Sequence, residues 1–277
     1  MDLYYVGKAD NEIKSYMKKL KANRLLSYVL DKKEIINSLN DGIPIFMDSG
    51  AFSAFTKGKK INIDEYIEFI NSYGDKLKLI ASLDVINEPL QSYNNYEYIY
   101  NKINYKDKLI PCFHFGEPLE YLDRYLKDSK IKYLAIGGLA GNKKNQNRNS
   151  IEGIVNYIRN KNKTIKIHIF GISNVDLIND LDITSIDSST WIRRAIYGDI
   201  LNPVDGKAYH LGNKNKLKIE EYKDLINNDT KAILKDLSLT FENLKDSASN
   251  RTLFNLISFQ KYLTKLTINQ KIKRKLF

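Results

Sequence analysis

Cysteine is all but missing from this chain: Cys112 is the single thiol in 277 residues. That excludes an internal disulfide framework and any cysteine-rich zinc site, and Cys112, inside an apolar run, reads as a small buried hydrophobe. Histidine is nearly as scarce. His114, His168 and His210 show neither the HxH nor the HExxH spacing of a metal centre. No metal and no cofactor is expected. Long apolar runs are lacking too: nothing approaches the roughly 20 residues of a membrane-spanning helix, and the start Met-Asp-Leu-Tyr-Tyr has neither region of a signal peptide. A cytoplasmic protein without membrane contact is the expectation. Acid is absent from residues 251–277, which carry Arg251, Lys261, Lys265, Lys271, Lys273, Arg274 and Lys275. With a net charge of +11, this points to a polyanionic partner, although a solvated helix end and biased codon usage explain the same composition.

What is present is a repeating pattern. Short apolar runs expected as strands fall at 3–6, 25–30, 43–47, 77–83, 109–113, 133–136, 165–170 and 183–186, separated by segments of helical spacing. Asp31 is the expected N-cap of a helix over 32–40, and Asn62 or Asp64 that of a helix stopped by Gly74. A further helix is expected at 93–103, and Pro118 opens one at 119–126. Eight strand and helix alternations match a (β/α)8 TIM barrel better than an open α/β sheet, since Gly7-Lys8-Ala9 is no dinucleotide fingerprint. From about 217 the pattern is purely helical. The expected organisation is a barrel over 1–212 and a basic helical C-terminal extension over 213–277.

Five of the runs end alike, at Asp48-Ser49-Gly50, Ser82-Leu83-Asp84, Cys112-Phe113-His114, Ile136-Gly137-Gly138 and Ser185-Ile186-Asp187. In a parallel barrel such endings share one mouth, so Asp48, Asp84 and Asp187 should converge. Each has a plainer reading as a cap, of the turn at Ser49-Gly50, of Val85-Ile86-Asn87, or of the helix containing Trp191. Two carboxylates across a pocket suit cleavage at an anomeric carbon, one attacking the sugar and one handling a proton. His168 reads as a satisfied barrel-interior histidine, whereas His114 stands at a strand end. The run Gly137-Gly138-Leu139-Ala140-Gly141 offers backbone groups to a phosphate or a planar base, or is a plain turn. Phe52, Phe55 and Phe115 could sandwich a base or serve as core. Lys57, Lys59, Lys60, Lys143, Lys144, Arg193, Arg194, Lys273, Arg274 and Lys275 are the candidate contacts to a nucleic-acid backbone, with a solvated surface as the alternative.

Together these blocks resemble the tRNA-guanine transglycosylase superfamily over roughly residues 40 to 200. Asp48-Ser49-Gly50-Ala51-Phe52-Ser53 is similar to its Asp-Ser-Gly-Gly-Phe-Gln block, Gly137-Gly138-Leu139-Ala140 to its base-binding loop, and Ser185-Ile186-Asp187 to the segment bearing its nucleophile. The compact phage-type 7-deazaguanine DNA transglycosylases are closer, through His114-Phe115-Gly116-Glu117 and Asp187-Ser188-Ser189-Thr190-Trp191. The resemblance implies Asp187 as nucleophile and Asp48 as general acid/base. It implies Asp84 on the purine edge and Gly138, Leu139 and Ala140 as backbone contacts, with Ser49, Phe52, His114 and Gly137 completing the substrate-binding set. The implied partners are nucleic acid, DNA in preference to tRNA, and a 7-deazaguanine base such as a preQ0-like precursor; for a phage-encoded chain the location is the host cytoplasm. Two departures stand out. The three cysteines and one histidine of the tRNA enzymes' zinc subdomain are missing, and His114 replaces a glutamine. The rival expectations are a tRNA transglycosylase, a nucleoside-level glycosidase, and a barrel that binds nucleic acid without catalysis.

Overall fold

The computed structural model describes residues 1–138, 148–172, 175–178, 180–211 and 222–276, the side chains of 175, 176 and 269–276 excepted. The chain divides into two compact units, Met1–Ser188 and Ser189–Phe277. The expected division at 212 followed the onset of purely helical sequence, whereas the first compact unit stops with the last parallel strand.

In the first unit, strands and helices alternate as β1 (Asp2–Val6), α1 (Asn11–Lys19), β2 (Asn23–Ser27), α2 (Tyr28–Asn40), β3 (Ile45–Asp48), α3 (Ala51–Thr56), α4 (Ile63–Tyr73), β4 (Leu79–Ala81), α5 (Pro89–Lys102), β5 (Leu109–Ile110), β6 (Cys112–His114), α6 (Leu119–Lys127), β7 (Tyr133–Gly137), α7 (Arg148–Lys161), β8 (Lys166–Ile169) and β9 (Ser185–Ser188). The strands form one parallel sheet in the order β5-β4-β3-β2-β1-β9-β8-β7-β6. Its two outer strands are consecutive in the chain and parted only by Pro111, so the nearly closed, barrel-like sheet returns to itself through the covalent backbone. Proline brings no N–H to the ladder. The carbonyls around it stay in use: Ile110 O accepts from Ser82 N at 2.7 Å and Pro111 O from Ala135 N at 2.9 Å.

Side chains alternate across the sheet, as the two-residue period of a strand requires. Tyr4, Leu25, Phe46, Ala81, Ile110, Cys112 and Ala135 pack as one buried cluster, which makes Cys112 the apolar filler expected of it. The intervening Tyr5, Met47, Ile80, Phe113, Leu134 and Ile167 are buried on the opposite face, as are Ile67, Ile70, Ile99, Leu122 and Val155 of the helices. Because both faces are covered, the strands read as continuous apolar runs, and their ends were hard to place. Tyr28, Val29 and Leu30, expected as strand, form the first turn of α2, where Asp31 is non-helical (φ −128°, ψ 22°) and accepts from Ser27 N at 3.1 Å. Asn62 is the cap of α4, its Oδ1 accepting from Asp64 N at 3.0 Å and Glu65 N at 3.3 Å.

The second unit holds α8 (Thr190–Ile196), a short antiparallel hairpin of β10 (Asp199–Leu201) and β11 (Ala208–His210), α9 (Asn228–Asp236), α10 (Phe241–Asp246) and α11 (Ala248–Leu276). The hairpin was not expected. Its core gathers Ile200, Leu211, Leu225, Ile233, Leu244 and Phe254. Buried Asn255 of α11 donates to Trp191 O and Asp199 O, both at 3.1 Å, and accepts from Leu201 N at 2.8 Å. Among the described residues no helix is long and apolar enough to cross a membrane.

Candidate active site

Asp48 closes β3, and the turn after it depends on Gly50. Gly50 has φ 82°, and a Cβ there would stand 2.5 Å from Ser27 Oγ and 2.9 Å from Val29 Cβ, so only glycine fits. The turn aims Gly50 N at Asp48 Oδ2, 3.0 Å away, which is the capping contact expected of Asp48. Capping is not all it does. Burial and then Asp84 push the Asp48 carboxyl up to about 7; the Gly50 amide opposes them, Asp187 adds a smaller push upward, and the Ser49 amide a smaller one downward. Both other acids therefore act on Asp48 from within its own surroundings.

Asp84 follows β4 and does not take the Val85 amide, which donates to Ser92 Oγ at 2.8 Å. Its Oδ1 accepts from buried Ser49 Oγ at 3.1 Å, and its Oδ2 lies 2.7 Å from His114 Nε2. The other ring nitrogen of His114, Nδ1, is 3.1 Å from Glu117 Oε1, and Glu117 Oε2 accepts from His114 N at 2.9 Å. Burial disfavours charge on this ring, but Cys112, Asp84 and Glu117 together hold the imidazole well above the ordinary histidine range. Burial keeps the Cys112 thiol protonated, up to about 11. At neutral pH the two carboxylates are thus the groups that retain the proton on His114. Gly137 makes room: a Cβ there would meet His114 Cδ2 at 2.8 Å and Cys112 Sγ at 2.9 Å.

Asp84, Cys112 and His114 offer ligand atoms all within 4.8 Å of one another, the group among the described residues suited to a borderline divalent ion. The 2.7 Å between His114 Nε2 and Asp84 Oδ2 is a hydrogen bond, shorter than the roughly 3.3 Å between two ligands on a tetrahedral ion with bonds near 2.0 Å. Asp84 and His114 stand as a hydrogen-bonded pair, with Cys112 Sγ facing Phe113 O at 3.9 Å.

Asp187 lies in β9 and is buried. It does not cap α8, whose N-cap is Ser189. Its Oδ1 accepts from Gly171 N at 2.9 Å and faces His168 Nε2 at 3.3 Å. Oδ2 receives no donor among the described residues. His168 is the satisfied interior histidine that the sequence suggested, its Nδ1 lying 2.6 Å from Ser185 Oγ.

Other expected site residues are placed less closely. Gly138 follows Gly137 with φ 76° and is exposed, while Leu139, Ala140, Lys143 and Lys144 lie outside the described residues, as do the side chains of Lys273, Arg274 and Lys275. Phe52 and Phe55 are each 57% exposed on α3, leading into exposed Lys57, Lys59 and Lys60. Arg193 is exposed, and Arg194 pairs with Asp199 at 3.1 Å. Three charges of the acid-free tail are spoken for: Arg251 donates to Ala195 O, Leu244 O and Lys245 O, and Lys261 and Lys265 both pair with Asp229. Glu117, Ser185 and Gly171 were not foreseen as contributors. Spacing alone could have suggested Glu117, three residues after His114, and Ser185, one strand period before Asp187.

No family model matches the sequence. The chain is similar to uncharacterized protein 306 of Sulfolobus islandicus rod-shaped virus 1, with 23% identity over 180 residues, 62% of this chain and 56% of that protein. It spans little more than half the length of that relative. The likeness assigns no activity, so function must be argued from the carboxylates themselves.

Proposed function

We propose that the protein is a base-exchange transglycosylase that replaces guanine in nucleic acid, DNA in preference to tRNA, with a 7-deazaguanine base. The observation that carries this reading is the contrast between two carboxylates in one mouth. Asp48 is held near neutrality by burial and its acidic neighbours, the state a proton-transfer group needs. Asp187 meets Gly171 N and His168 Nε2 through Oδ1, and Oδ2, which no donor meets among the described residues, is the oxygen left to act as nucleophile. In the first step Asp187 Oδ2 attacks C1′ of an extruded nucleotide, the N-glycosidic bond breaks, and guanine leaves with the proton of Asp48. In the second, the incoming 7-deazaguanine attacks C1′ through its ring nitrogen, its proton passes to Asp48, and the glycosyl ester to Asp187 breaks. Two displacements retain the configuration. Asp84, oriented by Ser49 and His114, keeps lone pairs for the purine edge. The motif resemblance at Asp48, Gly137-Gly138 and Asp187 supports the same reading.

Pro111 supports the finer fold assignment. Taking 109–114 as one strand interrupted by proline reduces nine segments to eight, the count of a (β/α)8 barrel. The test is to incubate the protein with a labelled 7-deazaguanine base and, in separate arms, guanine-containing duplex DNA, single-stranded DNA, structured RNA and free guanosine. Label should enter DNA with release of guanine, and Asp187→Ala should abolish both. Equal incorporation by Asp187→Ala would remove the assigned nucleophile. Incorporation into RNA alone would move the substrate to tRNA, into guanosine alone to a nucleoside-level enzyme, and incorporation nowhere would favour a binding protein.

A further inference from the structure

Asp187 is the end of a hydrogen-bonded line that runs through the barrel interior. Tyr133 OH lies 2.6 Å from Ser185 Oγ, Ser185 Oγ lies 2.6 Å from His168 Nδ1, and His168 Nε2 lies 3.3 Å from Asp187 Oδ1. The sheet register builds this line: His168 and Ser185 are direct partners between β8 and β9, and Ser185 precedes Asp187 by one strand period, so all three side chains share the inner face. The ring is fully buried, edge-on to Phe46 at 5.0 Å and to Phe170 at 4.5 Å between centroids.

Burial holds the Tyr133 phenol above its ordinary range, so it keeps its proton. Tyr133 OH and Ser185 Oγ can each donate to the other, and the tautomer of His168 decides the sense of the whole line. The sense that gives Asp187 a donor has Tyr133 OH donating to Ser185 Oγ, Ser185 Oγ donating to His168 Nδ1, and the ring proton on Nε2, facing the carboxylate. With the Gly171 amide, two donors meet one oxygen of Asp187.

We infer that His168 is a positioning residue for Asp187, locked by Ser185 and Tyr133 in the Nε2–H tautomer that fixes Oδ1 and presents Oδ2 to the sugar. The inference rests on the transglycosylase reading and deepens it. The opposite tautomer would set a lone pair against the carboxylate, and the carboxylate would rotate away from it. His168 touches no reacting atom; it restricts where the nucleophile can be.

The experiment compares substitutions that keep or remove one end of the imidazole. Glutamine places an amide N–H near the Nε2 position, asparagine near Nδ1, and phenylalanine keeps the volume without either. His168→Gln should retain base-exchange kcat within about 10-fold, whereas His168→Asn and His168→Phe should lose about 100-fold in kcat with KM for the base little changed. Ser185→Ala should fall between them. Thermal unfolding of each variant shows whether a loss is one of folding. A folded His168→Phe that exchanges base at the wild-type rate overturns the inference. A second readout needs no activity: the imidazole 15N spectrum of the wild-type protein, with His168→Asn to identify the resonances, should show Nδ1 as acceptor and Nε2 protonated, and Ser185→Ala should mix the tautomers. A wild-type spectrum with the proton on Nδ1 overturns it as well. If the wild-type protein exchanges no base, the functional reading fails while the 15N spectra still judge the tautomer.

Discussion

His114 Nε2 stands 2.7 Å from Asp84 Oδ2 while its Nδ1 stands 3.1 Å from Glu117 Oε1. One imidazole therefore ties the end of β6 to the end of β4 and to its own turn. Replacing it leaves two carboxylates with little exposure facing each other without a cation. His114→Ala should destabilise the protein by about 3 kcal/mol, read from urea unfolding at pH 6. The sign of the pH dependence follows from a folded pKa raised above the unfolded one. The stabilisation is complete below the ordinary histidine range and declines as pH climbs through the raised value. The gap between wild type and His114→Ala should therefore narrow in alkaline solution; a gap that widens there would contradict the pairing of a charged His114 with Asp84 and Glu117.

Asp48 shifts stability with pH in the same direction, although here it is the neutral form that folding favours. Its carboxyl titrates near 7 in the folded chain instead of near 3.8, so folding favours the protonated form. Its contribution is fully present below about pH 4 and is lost as pH rises through about 7. Asp48→Asn should leave stability unchanged at pH 4 and raise it by about 1–3 kcal/mol at pH 8, measured by thermal unfolding across that range. The same substitution should lower base exchange by about 10²–10⁴-fold, and the wild-type rate profile should inflect near 7. A profile flat from pH 5 to 9 would detach Asp48 from proton transfer.

Asp84 and Asp187 should separate kinetically. Asp187→Asn removes the attacking oxygen, and no covalent protein–nucleic-acid adduct should accumulate when incoming base is withheld. Asp84→Asn alters recognition of the purine edge: KM for the base should rise about 10-fold or more, while adduct formation persists. Denaturing gels of the trapped complex distinguish the two.

The exposed segment from Phe52 to Lys60 should contact the nucleic-acid backbone. Replacing Lys57, Lys59 and Lys60 by alanine should weaken binding across all sequences and reduce the slope of log affinity against log salt by about 2–3. Phe52→Ala should cost about 1–3 kcal/mol of single-strand affinity if the ring stacks on a base. An unchanged salt slope would assign these lysines to solvent.

Gly50→Ala tests the turn that carries Asp48. Positive φ and a Cβ 2.5 Å from Ser27 Oγ should cost about 1–3 kcal/mol in stability. Activity should fall further than the stability loss explains, because the strand end itself shifts.

Much of the barrel was legible because its strands are buried on both faces and stand out as apolar runs. The same continuity hid their limits. Tyr28 to Leu30 would be apolar as strand or as helix, and only the bond from Ser27 N to Asp31 shows where β2 stops. Gly50 and Gly137 were visible as glycines, but the reason for each lies in side chains distant in sequence. The hairpin at Asp199–Leu201 and Ala208–His210 was missed, its strands being three residues each and so too short for a period to register.

For the site, sequence alone placed Asp48, Asp84, His114 and Asp187 at strand ends, since strand direction and the two-residue period are local properties of the chain. It could not decide what each carboxylate meets. Whether Asp48 holds a proton depends on its burial first and then on Asp84 and Asp187, and whether Asp187 is aimed depends on Gly171, His168, Ser185 and Tyr133. Charge and hydrogen bonding act through space, over a few ångströms between residues tens to more than a hundred positions apart, and only the closing of the sheet brings them within that range.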